Sequence, residues 1–140
     1  MNSIEYKLCD IQGRLFELSV EQGFDSELFV KHFMKSKVAG YLDSIYNRMQ
    51  WAGEEYLLEE IIDECGDDLK KNGNVATKDE IYWIGYIYRY WHYYKNETSK
   101  NIYKHASYKR MATNYLMFHT MAPEIAIDDL IEIQNQSKKQ

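Results

Sequence analysis

The apolar residues of this 140-residue chain recur with the spacing of α-helices, and few residues break that spacing. Residues 3–22, for example, place Ile4, Leu8, Ile11, Leu15 and Leu18 on one stripe. The chain has a single proline, seven glycines and few β-branched runs. We therefore predict an all-α fold, a compact bundle of about six to eight helices.

Local start and stop signals divide the chain. Gly23 ends the first helix, and Asp25 or Ser26 caps the second. After a predicted break at 35–37, a third helix is expected through Val38, Leu42, Ile45, Tyr46 and Met49. An acidic helix at 52–65 and a loop at 66–79 follow. The remaining predicted helices begin at Thr77, at Thr98 or Ser99, at Ser107 and at Pro123. We predict one domain over residues 1–134 and a frayed polar tail over residues 135–140.

Residues 81–95, IYWIGYIYRYWHYYK, carry eight aromatic rings. On a helix, one wide face collects residues that we predict to be core: Ile81, Trp83, Ile84, Ile87, Tyr88 and Trp91. A helix with so wide an apolar face is expected at the centre of the bundle, over about residues 78–96. Gly85 is expected to let another helix approach closely, since a mid-helix glycine usually has a packing reason.

A second, narrower stripe of the same helix holds Tyr82, Tyr86, Arg89 and Tyr93. Tyrosine suits a half-buried position, so this stripe could pack under neighbouring helices. Tyr and Arg are also enriched at binding hot spots, so the stripe could instead anchor a partner. Both interpretations stay open at the level of sequence.

Charge is unevenly distributed along the chain, whose net charge is −5. Residues 51–80 carry ten acidic and three basic side chains, whereas residues 81–110 carry six basic and one acidic. The acidic block could be a solvated face, could pair internally with the basic block, or could dock on a basic partner through Glu59, Glu60 and Asp63.

Known catalytic and metal-binding spacings are missing from the sequence. It contains no HExxH, no zinc-type Cys/His spacing and no phosphate-binding glycine loop. The alternatives are a small-ligand binder or enzyme with an aromatic pocket of Arg89, His92, Tyr115 and His119, and an RNA-binding or degenerate HEPN-like protein. The HEPN ribonuclease spacing of Arg and His is not matched. We predict no cofactor and no metal, and lean towards a protein that is not an enzyme.

The cellular setting follows from simple counts. Cys9 and Cys65 lie far apart in apolar-periodic segments, so we interpret both as buried free thiols. Charges at Glu5, Lys7 and Asp10 interrupt any signal-peptide core, and no apolar run is long enough to span a bilayer. We predict a cytoplasmic protein without a membrane partner.

The runs DIQGRLFELS, YNRMQWAGEEYLLEE, YWIGYIYRYWHYY and NYLMFHTM, followed by AIDDL, resemble an uncharacterised family of small all-helical bacterial proteins. That family is associated with operons that also encode an ADP-ribosyltransferase-like protein. The resemblance implies a toxin–antitoxin or accessory role and carries no catalytic residue. Our leading hypothesis is a protein-binding module, antitoxin-like or inhibitory towards a toxin-like enzyme. It would dock a basic protein surface through the acidic helix and the Tyr/Arg stripe.

Overall fold

The computed structural model describes residues 1–44 and 48–139. These ranges contain eight α-helices: α1 (Ser3–Glu21), α2 (Ser26–Met34), α3 (Lys37–Asp43), α4 (Glu54–Cys65), α5 (Lys78–Lys95), α6 (Ser99–His105), α7 (Tyr108–Phe118) and α8 (Pro123–Lys139). A 3₁₀ turn, Arg48–Trp51, precedes α4, and a second, Gly66–Asp68, follows it. The predicted all-α bundle is confirmed.

Six of the eight helices in the described ranges begin where a short polar side chain caps them. Asp25 Oδ2 accepts a hydrogen bond from the Leu28 N–H at 3.0 Å, which makes Asp25 the cap of α2. Ser26 instead accepts from the Ala76 N–H at 2.9 Å. The caps of the later helices are Ser36, Thr77, Thr98 and Ser107. Each of these side chains satisfies a backbone N–H that the first helical turn leaves without a partner.

Helix α5 lies at the centre of the bundle. It packs along α1 and also contacts α6, α7 and α8. All six residues of its predicted core face are buried. On α1, Leu8 and Leu15 of the predicted stripe are buried, but Ile4 is 45% exposed. Cys9, Gln12 and Phe16 are buried in addition, because the contact with α5 rotates the buried face of α1 away from Ile4.

Two glycines set the distance between α1 and α5. A Cβ on Gly85 would lie 2.8 Å from the Gln12 carbonyl oxygen and 2.9 Å from Phe16 Cγ. A Cβ on Gly13 would lie 2.6 Å from Cε2 of Tyr82. Gly85 therefore lets the α1 backbone approach closely, as its position in the aromatic run predicted.

Alanine at Gly85 should lower the free energy of unfolding by about 1–3 kcal/mol, because the new methyl group meets a backbone carbonyl and a buried ring. Gly40, in the middle of α3, is the matched control, since a Cβ there meets no atom within 4 Å. Gly40→Ala should raise stability by up to about 1 kcal/mol through helix propensity. Urea denaturation of the two variants checks both signs, and equal effects would contradict the close approach.

The predicted loop at 66–79 is fixed to the start of α2 by backbone hydrogen bonds. The Asp25 N–H donates to Lys70 O at 2.6 Å, and the Ser26 N–H donates to Asn74 O at 2.9 Å. The Asn72 N–H donates to Gly23 O at 3.0 Å. These bonds hold the end of α4 and the start of α5 against the α1–α2 turn.

Two predicted segments differ from the structure in extent. Helix α3 ends at Asp43, and the predicted positions Ile45 and Tyr46 lie outside the described residues, as does the side chain of Met49. At the other end, residues 135–139 continue α8 where the sequence predicted a frayed tail. Ser137 Oγ donates to Ile133 O at 3.1 Å within that last stretch, which adds a local bond to the helix end.

Candidate functional site

The predicted Tyr/Arg stripe of α5 does not form one exposed surface. Tyr82, Tyr86 and Tyr93 are half-buried, but Arg89 is only 1% exposed. A side chain so deeply buried has no surface to offer a partner. The prediction that Arg89 contacts a partner is therefore wrong, and its contacts lie inside the bundle.

Arg89 is the centre of a buried polar network. Its Nε donates to Gln12 Oε1 at 2.7 Å, and its Nη1 donates to Asp43 Oδ1 at 2.6 Å. Its Nη2 donates to Ser99 Oγ at 3.1 Å. Asp43 also accepts from the backbone N–H and the hydroxyl of Ser99, each at 2.8 Å. Four helices, α1, α3, α5 and α6, thus meet at one guanidinium group.

His92 belongs to the edge of this network. Its Nδ1 lies 2.5 Å from the Glu97 carbonyl oxygen, to which it donates, and 3.6 Å from Asp43 Oδ1. Burial, with Arg89 nearby, lowers the pKa of His92. The predicted pocket of Arg89, His92, Tyr115 and His119 is therefore divided. Arg89 and His92 lie in the polar network, whereas Tyr115 and His119 line a separate surface cleft.

That cleft, here called the aromatic groove, lies between α5, α7 and the start of α8. It is open to solvent, has a volume of about 320 Å³, and is lined by Asp79, Tyr82, Trp83, Tyr86, Ile87, Tyr115, His119, Met121 and Pro123. Two predicted anchors of the stripe, Tyr82 and Tyr86, meet two predicted pocket residues, Tyr115 and His119, in this groove. Two of the four residues of the predicted stripe and two of the four residues of the predicted pocket therefore lie together in this groove.

The rings of the aromatic groove support one another. The Tyr115 and His119 rings stack with centroids 4.4 Å apart and planes 20° apart. Trp83 meets Tyr115 edge to face at 5.7 Å. Tyr82 and Tyr86 have centroids 6.0 Å apart. Because neighbouring rings restrict each other in this way, the walls of the groove are preorganised for a bound group.

The tyrosine hydroxyls of the groove stay protonated at neutral pH. Burial, and then the 2.5 Å hydrogen bond from its hydroxyl to Asp10 Oδ1, raises the pKa of Tyr82. Burial also raises the pKa of Tyr86. A general base or nucleophile would need the opposite shift. These phenols are suited to hydrogen bonding and ring contacts rather than to proton abstraction.

Apolar side chains are exposed close to the groove in sequence. Leu116 is 82% exposed and Met117 is 65% exposed, and both lie between the groove residues Tyr115 and His119 in the sequence without lining the groove themselves. Ile125, in the first turn of α8, is 54% exposed. None of these three residues was predicted from the sequence as part of a binding surface. The signal was present, since Leu116 and Met117 fall between Tyr115 and Phe118, which their i, i+3 spacing places on one apolar face, and an amphipathic helix usually carries polar residues at such intervening positions.

The acidic helix α4 forms a separate surface. Glu59 and Asp63 are exposed and Glu60 is half-buried, while α4 packs on α1 and α3. One acid of this helix has a structural role, because Glu64 Oε2 accepts from the Lys37 N–H at 2.8 Å at the start of α3. Among the described residues, no ion pair joins an acid of 51–80 to a base of 81–110, so internal pairing of the blocks is not observed.

Cysteine and metal chemistry find little support in the described part of the chain. Cys9 is buried and Cys65 is half-buried, and both are free thiols. Burial raises the pKa of Cys9 to about 12 and that of Cys65 to about 11, the reverse of what an activated thiol needs. Within residues 1–44 and 48–139, no group of three or more His, Cys, Asp or Glu side chains is placed to hold a metal ion.

Comparison with known proteins identified no related protein. A scan against protein-family models, a search of curated proteins and a search of solved structures each found no match. None of the helices in the described ranges combines the length and the apolar character that a bilayer crossing requires.

Proposed function

We propose that this protein is a protein-binding module that docks through the aromatic groove. The observation that carries the proposal is the open cleft walled by Tyr, Trp and His side chains, one wall of which is the helix α7 that also carries the highly exposed apolar residues Leu116 and Met117. Aromatic and methionine side chains are enriched at protein interfaces, and exposed apolar residues beside a concave site mark docking surfaces.

The chemistry of the groove indicates what would enter it. A volume of about 320 Å³ accommodates one or two large side chains, and within the described part of the chain Asp79 is the one carboxylate that lines the groove. An apolar or aromatic anchor with a Lys or Arg beside it fits that combination. The exposed Glu59 and Asp63 of α4 favour a partner with a basic surface. A toxin-like enzyme, inhibited on binding, is the partner class that the family resemblance implies.

Photocrosslinking identifies the partner of this surface. A benzoylphenylalanine at position 116, in cells that naturally make the chain, should give one protein adduct of defined mass. The same probe at Val75, which is 43% exposed and lies in the loop before α5, is the matched control and should not give that adduct. Adducts that are diffuse or identical at the two positions would oppose the docking surface.

With the partner purified, Leu116→Asp should weaken binding at least about tenfold, because a charge then lies where an apolar contact is buried. Val75→Asp introduces the same charge at an exposed apolar site that does not line the groove and should alter the dissociation constant less than about twofold. Isothermal titration calorimetry measures both. Equal effects of the two variants would reject the exposed surface of α7 as part of the interface.

Small-ligand binding is the second candidate, favoured by the concavity of the same groove and its few polar groups. The two candidate functions differ in what the purified chain binds when no other protein is present. A small aromatic molecule that binds the free chain saturably, with Tyr86 and Tyr115 resonances shifting together, would favour it. Failure to find any such molecule, together with a specific crosslinked protein, would favour the docking module.

A further inference from the structure

A second cleft, on the side of the molecule formed by α6, α7 and α8, has the opposite chemistry to the aromatic groove. It has a volume of about 270 Å³ and is lined by Lys104, His105, Ser107, Arg110, Gln134, Ser137 and Lys138. It shares no residue with the groove, so conclusions about it are independent of the proposed function. We propose that this basic cleft binds a phosphate group of a small phosphorylated ligand.

The charge of the cleft is the first argument. Three of its side chains are those of the basic residues Lys104, Arg110 and Lys138, and no carboxylate of the described residues lines it. Glu97 is the acid that touches the set, with its Oε2 3.5 Å from Nε2 of His105. In a chain of net charge −5, a concave site whose charged lining residues are all basic favours a dianion over a neutral or cationic ligand.

The state of Arg110 is the second argument. Its Nη1 is buried and has no hydrogen-bond acceptor among the described residues, and its Nη2 has only Ser137 Oγ at 3.5 Å. A buried, charged donor without an acceptor raises the free energy of the unliganded protein. A phosphate oxygen in the cleft would offer acceptors to this guanidinium once it rotates towards the opening, and a bidentate Arg–phosphate pair is a strong charge-assisted contact.

The helix dipole accounts for some of the basic residues that line the cleft, but not for Arg110. Lys104 and His105 lie in the last turn of α6, where positive charge also complements the helix dipole. Arg110 lies in the first turn of α7, where that dipole is unfavourable for a cation and favourable for an anion. Ser107, Ser137 and Gln134 add hydroxyl and amide donors at the same cleft. The combination of charge and neutral donors is that of an oxyanion site.

Titration of the purified chain with inorganic phosphate and with glycerol phosphate, followed by amide NMR at constant ionic strength, tests the proposal. Saturable shifts are expected at residues 104–110 and 134–138. Arg110→Gln should weaken phosphate binding at least tenfold, whereas Lys109→Gln, at an exposed base next to Arg110 that does not line the cleft, should change it less than twofold.

Ser137→Ala, at an exposed serine, provides a second variant that leaves the fold unchanged and should also weaken phosphate binding. Shifts that fail to saturate, or that chloride reproduces at the same ionic strength, would overturn the assignment. A single-stranded RNA that binds more tightly than both phosphates, with steep salt dependence and the same sensitivity to Arg110→Gln, would overturn it in favour of a nucleic-acid surface.

Discussion

Asp43→Ala is expected to lower the free energy of unfolding by about 3–5 kcal/mol, more than any other single change proposed for this chain. The side chain of Asp43 is 11% exposed and is the anionic partner of Arg89, which is 1% exposed. Removing it leaves a guanidinium buried without its counter-ion and the Ser99 N–H without its acceptor. Urea denaturation followed by circular dichroism measures the loss.

Two further variants separate a buried charge from a general effect of removing a carboxylate. Asp63→Ala removes an exposed acid of α4 and should change stability by less than about 0.5 kcal/mol. Arg89→Met combined with Asp43→Ala removes both charges and should be less destabilising than Asp43→Ala alone, because no unpaired charge then remains buried. A double variant that is as unstable as the sum of the two single variants would contradict this account.

Alkaline unfolding is the second large effect that we expect. Burial is the leading cause of a raised pKa at four tyrosines of α5: Tyr82, Tyr86, Tyr88 and Tyr90. Burial also raises the pKa of Tyr93 to about 12. In the unfolded chain these phenols ionise near pH 10. The stability that they contribute is therefore complete below about pH 10 and is lost as the pH rises through the folded-state values.

The measurement is phenolate absorbance at 295 nm, recorded together with helical circular dichroism as the pH rises. We expect most phenolates to form in one cooperative step that coincides with loss of the helical signal between about pH 10 and 12. The chain in denaturant is the reference and should titrate smoothly near pH 10. Gradual ionisation of the native chain, with its helical signal intact, would show that these rings are accessible in the fold.

Much of the fold was predictable because the signals that specify it are local. Asp25, Thr77, Thr98 and Ser107 each accept from a backbone N–H three residues away, so sequence alone identifies the helix starts. The core face of α5 follows from helical periodicity within a single element. The buried face of α1 was less well predicted, because its centre depends on where α5 packs.

The candidate site depends on contacts between distant parts of the chain. Arg89 contacts Asp43 across 46 positions and Gln12 across 77, and neither partner carries a signal that sequence periodicity could detect. The stripe that contains Arg89 therefore looked continuous, although its members lie at different depths. Tyr115 and His119 were both assigned to the predicted pocket, but their meeting with Tyr82 and Tyr86 required the packing of α7 on α5.

The network around Arg89 also bears on the kinetics of folding. It gathers groups from α1, α3, α5 and α6, so it can form only after all four helices have docked. Interactions that form after the transition state affect the unfolding rate and leave the folding rate almost unchanged. The Arg89–Asp43 pair would then prolong the lifetime of the native state by slowing unfolding. The close contact of α1 and α5 at the two glycines involves two helices alone and could form earlier in folding.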